Sequence, residues 1–409
     1  MKFTEPAPAV PSANPLPARG LVAFIGCFMM LQPLSTDMYL PSLPGLTEKF
    51  GASVATVQLT LSVFVLGFGF MQLVSGPLSD RFGRRPVVIA GIALYVVASL
   101  GCAMAPTMTL LIAGRFFQAV GCCTAVVVAR AIVRDAFGAE GSAHAMAQAL
   151  SVLAVAAMVG PALGGLLEVR FGHRAVFVVL AVFAGVLLIL TAARLPETNA
   201  HLNARATRPR HLLASYGLVV RSREFLAFTL FGSATYGGLF AFISGSSFVL
   251  IRVLDVPPGW FGVAFASVVV GYLLGTLWCQ RMLARHGLRT TVTVGVALAA
   301  CGVIAMVTLA LAGVHHWAAI IVPQFVYMAS HGINFPCAMA GTVGPFPQHA
   351  GTAAGMFGFL SMAAAAAIGA WIGASHDGTV FPMVFAIAGA ASVSLLTVML
   401  YIRPHLARR

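Results

Sequence analysis

Apolar runs of about 20 residues recur along almost the whole chain, separated by short polar stretches. A run of this length crosses a bilayer as an α-helix, whereas a membrane β-barrel shows segments about half as long with alternating hydrophobicity. Only 9% of the 409 residues are charged, and 59% are hydrophobic. Because soluble domains carry about 25% charged residues, this chain lacks the polar surface that a water-soluble protein needs. The sequence therefore predicts an all-α membrane protein.

Twelve spans are predicted from these runs, and the polar segment 194–224 divides them into six and six. We expect a disordered tail at 1–19, a six-helix bundle at 20–193, a cytoplasmic linker at 194–224, a second six-helix bundle at 225–403 and a tail at 404–409. The predicted spans are 20–42, 55–76, 86–104, 107–133, 143–167, 174–193, 226–251, 259–280, 290–312, 317–340, 350–373 and 380–402.

The basic residues are distributed unevenly between the two sides of the predicted bundle. Eighteen lie at the termini and in the loops on their side, and the opposite loops hold four, namely Lys49, Arg170, Arg174 and Arg252. By the positive-inside rule, both termini are expected to be cytoplasmic. The arginines stand in short patches between apolar runs, which suits contact with anionic lipid. The formal net charge of +13 therefore does not indicate a nucleic-acid partner.

Motifs of enzymes and pumps are missing from the sequence. The seven cysteines show no paired spacing and fall inside apolar runs, so we expect no disulfide, metal site or cofactor. No zinc-protease motif or nucleophile elbow occurs. The only lysines, Lys2 and Lys49, lie in no phosphate-binding loop, which disfavours an ATP-driven pump. A membrane-embedded enzyme is disfavoured as well, and no feature supports a receptor.

Asp37 and Arg115 are charged residues well inside predicted spans, while Arg130 lies near a span end. A charge near the bilayer centre costs about 2.5–3.5 kcal/mol on insertion scales, so such groups normally face the bundle interior or a wet cavity. At about 1.5 Å per residue, Asp37 and Arg115 lie roughly 8 Å and 12 Å from the same face. We expect the two side chains to meet, directly or through water. They would form either a proton switch or a static ion pair between spans one and four.

Three segments resemble motifs of the major facilitator superfamily. The loop GPLSDRFGRRP at 76–86 resembles its cytoplasmic signature, and RFFQAVG at 115–121 resembles a motif with a buried arginine tied to proton movement. GPALGG at 160–165 resembles the motif typical of antiporters, built from Gly160, Pro161, Gly164 and Gly165. The resemblance implies a conformational latch that consists of Gly76, Asp80, Arg81, Gly83, Arg84, Arg85 and Asp135.

Further stretches are similar to the Bcr/CflA drug-resistance transporters of the drug:proton antiporter group, namely STDMYLPSLPGL at 35–46, VRDAF at 133–137 and HAGTAAG at 349–355. This resemblance implies two pseudo-symmetric six-helix bundles and proton-coupled export of small amphipathic molecules or drugs across a bacterial inner membrane by a monomer. The halves also match weakly at an offset near 204 residues. Span one carries no second carboxylate, which puts in doubt any scheme that needs two titrating acids.

The same resemblance implies that spans one, four, seven and ten line the substrate cavity. For each candidate taken alone, helix packing is the favoured explanation. His331 with Asn334 is the most unusual polar pair, a candidate second proton or ligand group. Proton-coupled uptake, or transport of one specific metabolite on this fold, is the alternative function, and GPALGG argues against uptake. The candidate cavity residues are Met29, Gln32, Met38, Tyr39, Gln118, Tyr236, Phe240, Phe242, Ser244, Tyr327, His331 and Asn334.

Overall fold

A computed structural model describes residues 18–200 and 202–407, and these ranges contain helices and no β-strand. Most of the predicted N-terminal tail, together with Arg408 and Arg409, lies outside the described residues. The helices are α1 (Ala18–Asp37), α2 (Leu43–Phe50), α3 (Val54–Phe82), α4 (Arg84–Met104), α5 (Met108–Phe171), α6 (His173–Arg194), α7 (Pro209–Val220), α8 (Arg223–Ser247), α9 (Pro258–Leu311), α10 (Ala318–Val343), α11 (Ala350–Ala374), α12 (Phe381–Thr397) and α13 (Arg403–Ala407).

Two of these helices each contain two membrane crossings. In α5 the backbone leaves helical geometry at Gly138, where φ is 63°, and in α9 it does so at Gly287, where φ is 72°. Positive φ values favour glycine because it has no Cβ. We call the resulting segments α5a (108–137), α5b (139–171), α9a (258–286) and α9b (288–311).

The described chain supplies twelve membrane-length segments, as the sequence predicted. Ten helical stretches are long and apolar enough to cross a bilayer, and one of them, α9, has twice the necessary length. The 26-residue α10 is the twelfth. The first crossing differs from its predicted end at 42: α1 ends at Asp37, and the chain turns and continues through α2 to Phe50. Large apolar side chains such as Met104, Ile189 and Leu400 are exposed on the outside of the bundle, where lipid would cover them.

Six of these segments precede α7 and six follow it. The two halves meet along two seams, where α3 packs against α11 and α5b packs against α9a. The turns at Gly83, Gly138 and Gly287 share one end of the bundle with the segment 195–222; we call this end the termini face. The opposite end, with the turns at Gly51 and Gly172, is called the distal face.

Candidate functional site

A cavity of about 230 Å³ lies between the two halves. The first half contributes residues of α1, α3 and α5b, and the second half contributes residues of α8, α9a and α10. Aromatic and aliphatic side chains form most of the wall, and Asp37 is its one acidic residue among those described. The wall includes Gln32, Pro33, Thr36, Asp37, Val65, Leu153, Ala157, Tyr236, Leu239, Phe240, Phe242, Ile243, Phe265, Val268, Val269, Tyr272, Met328, His331 and Phe335.

Asp37 is the last residue of α1 and is 6% exposed. Its Oδ1 atom accepts a hydrogen bond of 2.8 Å from the Thr36 hydroxyl. In the described ranges no arginine or lysine forms an ion pair with it. A buried carboxylate with a single hydroxyl donor and no cation is poorly compensated, so this position favours a carboxyl group that can take up a proton or a cationic partner.

Arg115 lies on α5a and is fully buried inside the first half, away from the cavity wall. Its guanidinium carbon is 4.2 Å from the ring centroid of Phe64 and 4.8 Å from that of Tyr39. Its Nη1 donates to Gln118 Oε1 at 2.6 Å, and Gln118 Nε2 donates to Ser99 Oγ at 2.8 Å. The Nε and Nη2 groups of Arg115 have no hydrogen-bond partner among the described residues.

The expected meeting of Asp37 and Arg115 does not occur in this structure. The ring of Tyr39, two residues after Asp37, covers the guanidinium of Arg115, and the carboxylate instead lines the cavity between the halves. Similar depths along two helices therefore did not place the two charges on the same side of the wall. The static ion pair between spans one and four is absent from the described residues.

The predicted cavity residues fall into two groups. Those that line the cavity are Gln32, Tyr236, Phe240, Phe242 and His331. The span that carries Gln118 contributes no lining residue, and α5b and α9a take its place; this corrects the expectation that spans one, four, seven and ten form the wall. The residues that pack inside the halves or along their seam are Met29, Met38, Tyr39, Gln118, Ser244, Tyr327 and Asn334.

His331 and Asn334 do not act as a pair in this structure. The His331 ring stacks on Phe335, with centroids 5.2 Å apart, and its Nδ1 donates to the Thr235 carbonyl at 3.3 Å. Asn334 instead packs against Gly295 of α9b, where a Cβ atom would lie only 1.9 Å from its Oδ1. Only His331 therefore faces the cavity.

The GPALGG segment of α5b brings backbones into close contact. A Cβ atom at Gly164 would lie 2.1 Å from the Met38 carbonyl oxygen, and one at Gly165 would lie 2.7 Å from the Pro258 carbonyl oxygen. Gly160 lies against the Asp37 side chain, since a Cβ there would be 3.5 Å from Asp37 Cβ. Pro161 lies within α5b between these glycines. The segment therefore packs α5b against both the end of α1 and the start of α9a.

Arg84 joins two carboxylates at the termini face. Its Nη1 is 2.5 Å from Asp80 Oδ1, and its Nε is 2.9 Å from Asp135 Oδ2, so three of the five charged residues of the expected latch lie together. Gly83 ends α3 with φ of 98°, and Gly76 lies one turn before Asp80 with open space beside it. The other two basic residues bind elsewhere: Arg81 donates to the Thr207 hydroxyl, and Arg85 donates to the Ala192 carbonyl.

Glu197 is a residue of this cluster that the sequence did not reveal. Its carboxylate accepts hydrogen bonds from the backbone N–H groups of Arg84 (2.8 Å) and Arg85 (3.0 Å), the first residues of α4. A carboxylate at a helix N-terminus is favoured because it satisfies free N–H groups and the helix dipole. An N-terminal cap supplied from 113 residues away along the chain leaves no local sequence signal.

The segment after Glu197 is also docked on the first half. The Tyr216 hydroxyl of α7 donates to the Leu73 carbonyl of α3 at 2.7 Å. Burial raises the pKa of the Tyr216 phenol above its ordinary value, so the group stays protonated and remains a donor. The linker is therefore folded against the termini face.

On the distal face, an ion pair and a close backbone contact between described residues join the halves. Arg252, after α8, forms an ion pair with Glu48 of α2 and donates to the Pro44 carbonyl at 3.1 Å. Nearby, a Cβ atom at Gly262 would lie 2.3 Å from Ala162 Cα. Among the described residues, no group of three or more His, Cys, Asp or Glu side chains is placed to hold a metal ion.

Comparison with known sequences identifies related proteins over nearly the full length. Residues 25–370 match the sequence profile of the Major Facilitator Superfamily. The bicyclomycin resistance protein homolog of Haemophilus influenzae is 28% identical over 372 residues, which cover 91% of this chain and 93% of that protein. The multidrug resistance protein MdtL of Escherichia coli is 27% identical over 377 residues, which cover 92% of this chain and 94% of that protein.

Solved structures show the same fold at low sequence identity. A point mutant of the nucleoside transporter NupG superposes with a TM-score of 0.68 at 13% identity, covering 93% of this chain and 99% of NupG. A bacterial homolog of the human lysosomal transporter Spinster, in an inward-facing and unoccupied conformation, gives a TM-score of 0.66 at 13% identity, with 94% of each chain covered.

Proposed function

The chain belongs to the Major Facilitator Superfamily, and we propose that it is a proton-coupled antiporter that exports small amphipathic molecules. Membership makes it a multi-pass membrane transporter rather than an enzyme. The observation that carries the proposal is the position of Asp37, the one acidic residue described in the wall of an otherwise apolar cavity between the two halves. The names of the relatives, bicyclomycin resistance and multidrug resistance, support drug efflux.

The coupling follows from competition at the Asp37 carboxyl group. Without a nearby cation, the carboxylate in an apolar wall is stabilised either by a proton or by the polar or cationic part of a ligand. A proton and a ligand that compensate the same carboxylate displace each other. Exchange results if the protonated and ligand-bound forms favour opposite-facing states, because coupling requires different affinities in the two states.

Arg115 is the second element of the proposed switch. Its Nε and Nη2 groups have no hydrogen-bond partner among the described residues. The guanidinium lies behind the ring of Tyr39, which is two residues after Asp37 in the sequence. We propose that rocking of the halves moves the end of α1 and brings the deprotonated Asp37 to these donors in the opposite-facing state. The pairing expected from the sequence would then belong to one state of the cycle.

The cavity wall indicates the substrate class. Its many apolar and aromatic side chains favour a ligand with a large apolar surface, and the ring of His331 adds a polar edge. Because Arg115 is outside the wall, no described guanidinium or ammonium group is available there to bind an anion. We therefore expect neutral or cationic amphipathic substrates to be preferred to anionic ones.

Two further parts of the proposal concern the remaining motifs. Arg84, with Asp80 and Asp135, would hold the termini face in one conformation, and these ion pairs would break when that face opens. Gly160, Pro161, Gly164 and Gly165 would act by allowing α1, α5b and α9a to pack closely. With eighteen basic residues on its side, the termini face is proposed to be cytoplasmic in a bacterial inner membrane.

Uptake of a specific metabolite on the same fold is the second candidate function. The close helix packing at GPALGG, a motif typical of antiporters, favours exchange over uptake. The direction of transport is measured in vesicles on which an inward proton gradient is imposed. The gradient drives the substrate out of the vesicle through an antiporter and into it through a symporter.

The test begins with an efflux-deficient bacterial host that expresses the chain. Its growth is measured in the presence of each compound of a panel of antibiotics and metabolites. Compounds to which the chain confers resistance are then followed in proteoliposomes with an imposed proton gradient. Asp37→Asn should abolish gradient-driven transport and keep gradient-independent exchange. The matched control is Glu168→Gln: Glu168, on α5b, is also an acid, but it accepts a hydrogen bond from Ser42 outside the cavity. Gradient-driven transport by Asp37→Asn at the wild-type rate would contradict the proposal.

A further inference from the structure

A second cavity, of about 350 Å³, opens at the termini face between α3, α5a, α7 and α11. It shares no lining residue with the cavity that contains Asp37. Both halves of the transporter and the linker helix contribute to its wall. Its polar side chains include Arg84, Arg130, Arg134, Asp80, His349 and Thr352.

Two guanidinium groups in this wall are uncompensated. Arg84 is already paired with Asp80, the one acid described in the wall, and with Asp135. Arg130 and Arg134 have no hydrogen bond or ion pair with another described residue. They are four residues apart on α5a, so they lie on the same face of the helix, where two like charges destabilise it. A bound anion would remove this repulsion.

The opposite wall presents the N-terminus of α11. His349 precedes this helix without a capping hydrogen bond from its side chain, and Gly351 and Thr352 of the first turn line the cavity. The first turn of a helix has free N–H groups and the positive end of the helix dipole. Two arginines from the first half and a helix N-terminus from the second half therefore point to the same space.

Arg130 lies in the cavity wall toward the end of α5a. It lies eight residues before Gly138, about 12 Å along α5a from the turn at the termini face. Basic pockets between membrane helices on the cytoplasmic side are suited to phosphate-bearing head groups.

We propose that this cavity binds a phosphate group, held by Arg130 and Arg134 on one side and by the first turn of α11 on the other. The phosphate can belong to an anionic lipid head group or to a free phosphate ion. A ligand that contacts both halves stabilises the state in which these helix ends are close, and so it slows the alternation between states. The site does not depend on proton coupling at Asp37, and its test measures binding rather than transport.

The test compares the wild type with the double variant Arg130→Gln/Arg134→Gln in phosphatidylcholine nanodiscs, with and without phosphatidylglycerol or added inorganic phosphate. Arg285→Gln, which removes an exposed basic residue outside the cavity, is the matched control. We expect a rise in melting temperature of at least about 2 °C for the wild type and the control, and no rise for the double variant.

The two sources of phosphate give different results. Stabilisation by phosphatidylglycerol alone identifies a lipid head group, whereas stabilisation by inorganic phosphate in phosphatidylcholine identifies a free anion. Equal stabilisation of the wild type and the double variant, or no stabilisation of the wild type by either addition, would overturn the proposal. A double variant that fails to fold is replaced by Arg130→Lys/Arg134→Lys, which keeps the charge and should retain the stabilisation by phosphate.

Discussion

Asp37 and Arg115 are both charged and both buried, but their surroundings differ in kind. Asp37 lies at the end of α1, in the wall of a cavity between the two halves that rock in the proposed mechanism. Arg115 is enclosed within one half by Phe64, Tyr39 and the Gln118 amide. The first environment changes when the halves rock or a ligand enters, and the second is fixed by packing. The role of a buried charge therefore has to be inferred from the side chains that surround it and from whether they are fixed.

Substitutions at Arg115 are expected to show the largest effect on stability. Arg115→Lys keeps the charge but loses the contact of the guanidinium with the Phe64 ring, and it leaves an ammonium group buried without an acid. The free energy of unfolding should therefore fall by about 3 kcal/mol. Arg115→Met removes the charge at similar length and should cost less. Denaturant unfolding in mixed micelles measures both. If the methionine variant proved less stable than the lysine variant, the view of Arg115 as an uncompensated charge would be wrong.

A smaller effect is expected at Gly164, whose close approach to Met38 positions the end of α1 and with it Asp37. The added Cβ in Gly164→Ala meets the Met38 carbonyl, a backbone atom that cannot move without α1, so we expect a loss of about 2 kcal/mol and reduced transport. Gly185→Ala on α6 is the control, because a Cβ there meets nothing within 4 Å. Equal losses in the two variants would show that the close approach at Gly164 is unimportant.

Removing Arg84 tests a buried charge at the termini face that, unlike Asp37 and Arg115, has ion-pair partners among the described residues. Arg84→Gln breaks the pairs with Asp80 and Asp135 and should shift the conformational equilibrium by about 1 kcal/mol, which slows transport by roughly fivefold. Arg81→Gln, which loses a bond to Thr207, should have little effect. Initial transport rates of the two variants are compared in proteoliposomes. Equal rates would argue against a conformational latch at Arg84.

The smallest effect is expected for His331, across the cavity from the acid. In His331→Phe the stack with Phe335 is kept and only the hydrogen bond to the Thr235 carbonyl is lost, so ligand affinity should change by less than about threefold. The pH dependence of transport should stay the same, because Asp37 is present. A pH profile that flattened in this variant would make His331 a second titrating group.

The sequence was sufficient for the fold and for the local motifs. Twelve apolar runs predicted twelve membrane-length segments, and the resemblance of the loop at 76–86 to a family motif implied that Asp80 and Arg84 lie together, as they do in the structure. Gly83 and Gly287, matched by the offset between halves, both have positive φ at equivalent turns. Each of these features depends only on residues close together in the sequence or on the length of an apolar run.

The assignment of residues to the cavity required the structure. A membrane helix that is apolar on all sides has no amphipathic pattern. Its sequence therefore does not show which face packs inside its own half and which face lines the cavity between the halves. The resemblance placed Tyr39 and Gln118 in the cavity, but they are found around Arg115 instead. Phe265 and Tyr272 of α9a were not anticipated in the wall. Depth along a helix can be read from residue number, but rotation about its axis cannot.

The most direct test of the role of Asp37 is to count protons during binding. A compound selected in the growth screen is added to the purified, weakly buffered transporter, and proton release is followed with a pH-indicator dye beside the binding isotherm. The wild type and Glu168→Gln should release protons as the ligand binds, and Asp37→Asn should bind the ligand without releasing any. Equal proton release from the wild type and Asp37→Asn would contradict the exchange of a proton for a ligand at this carboxyl group.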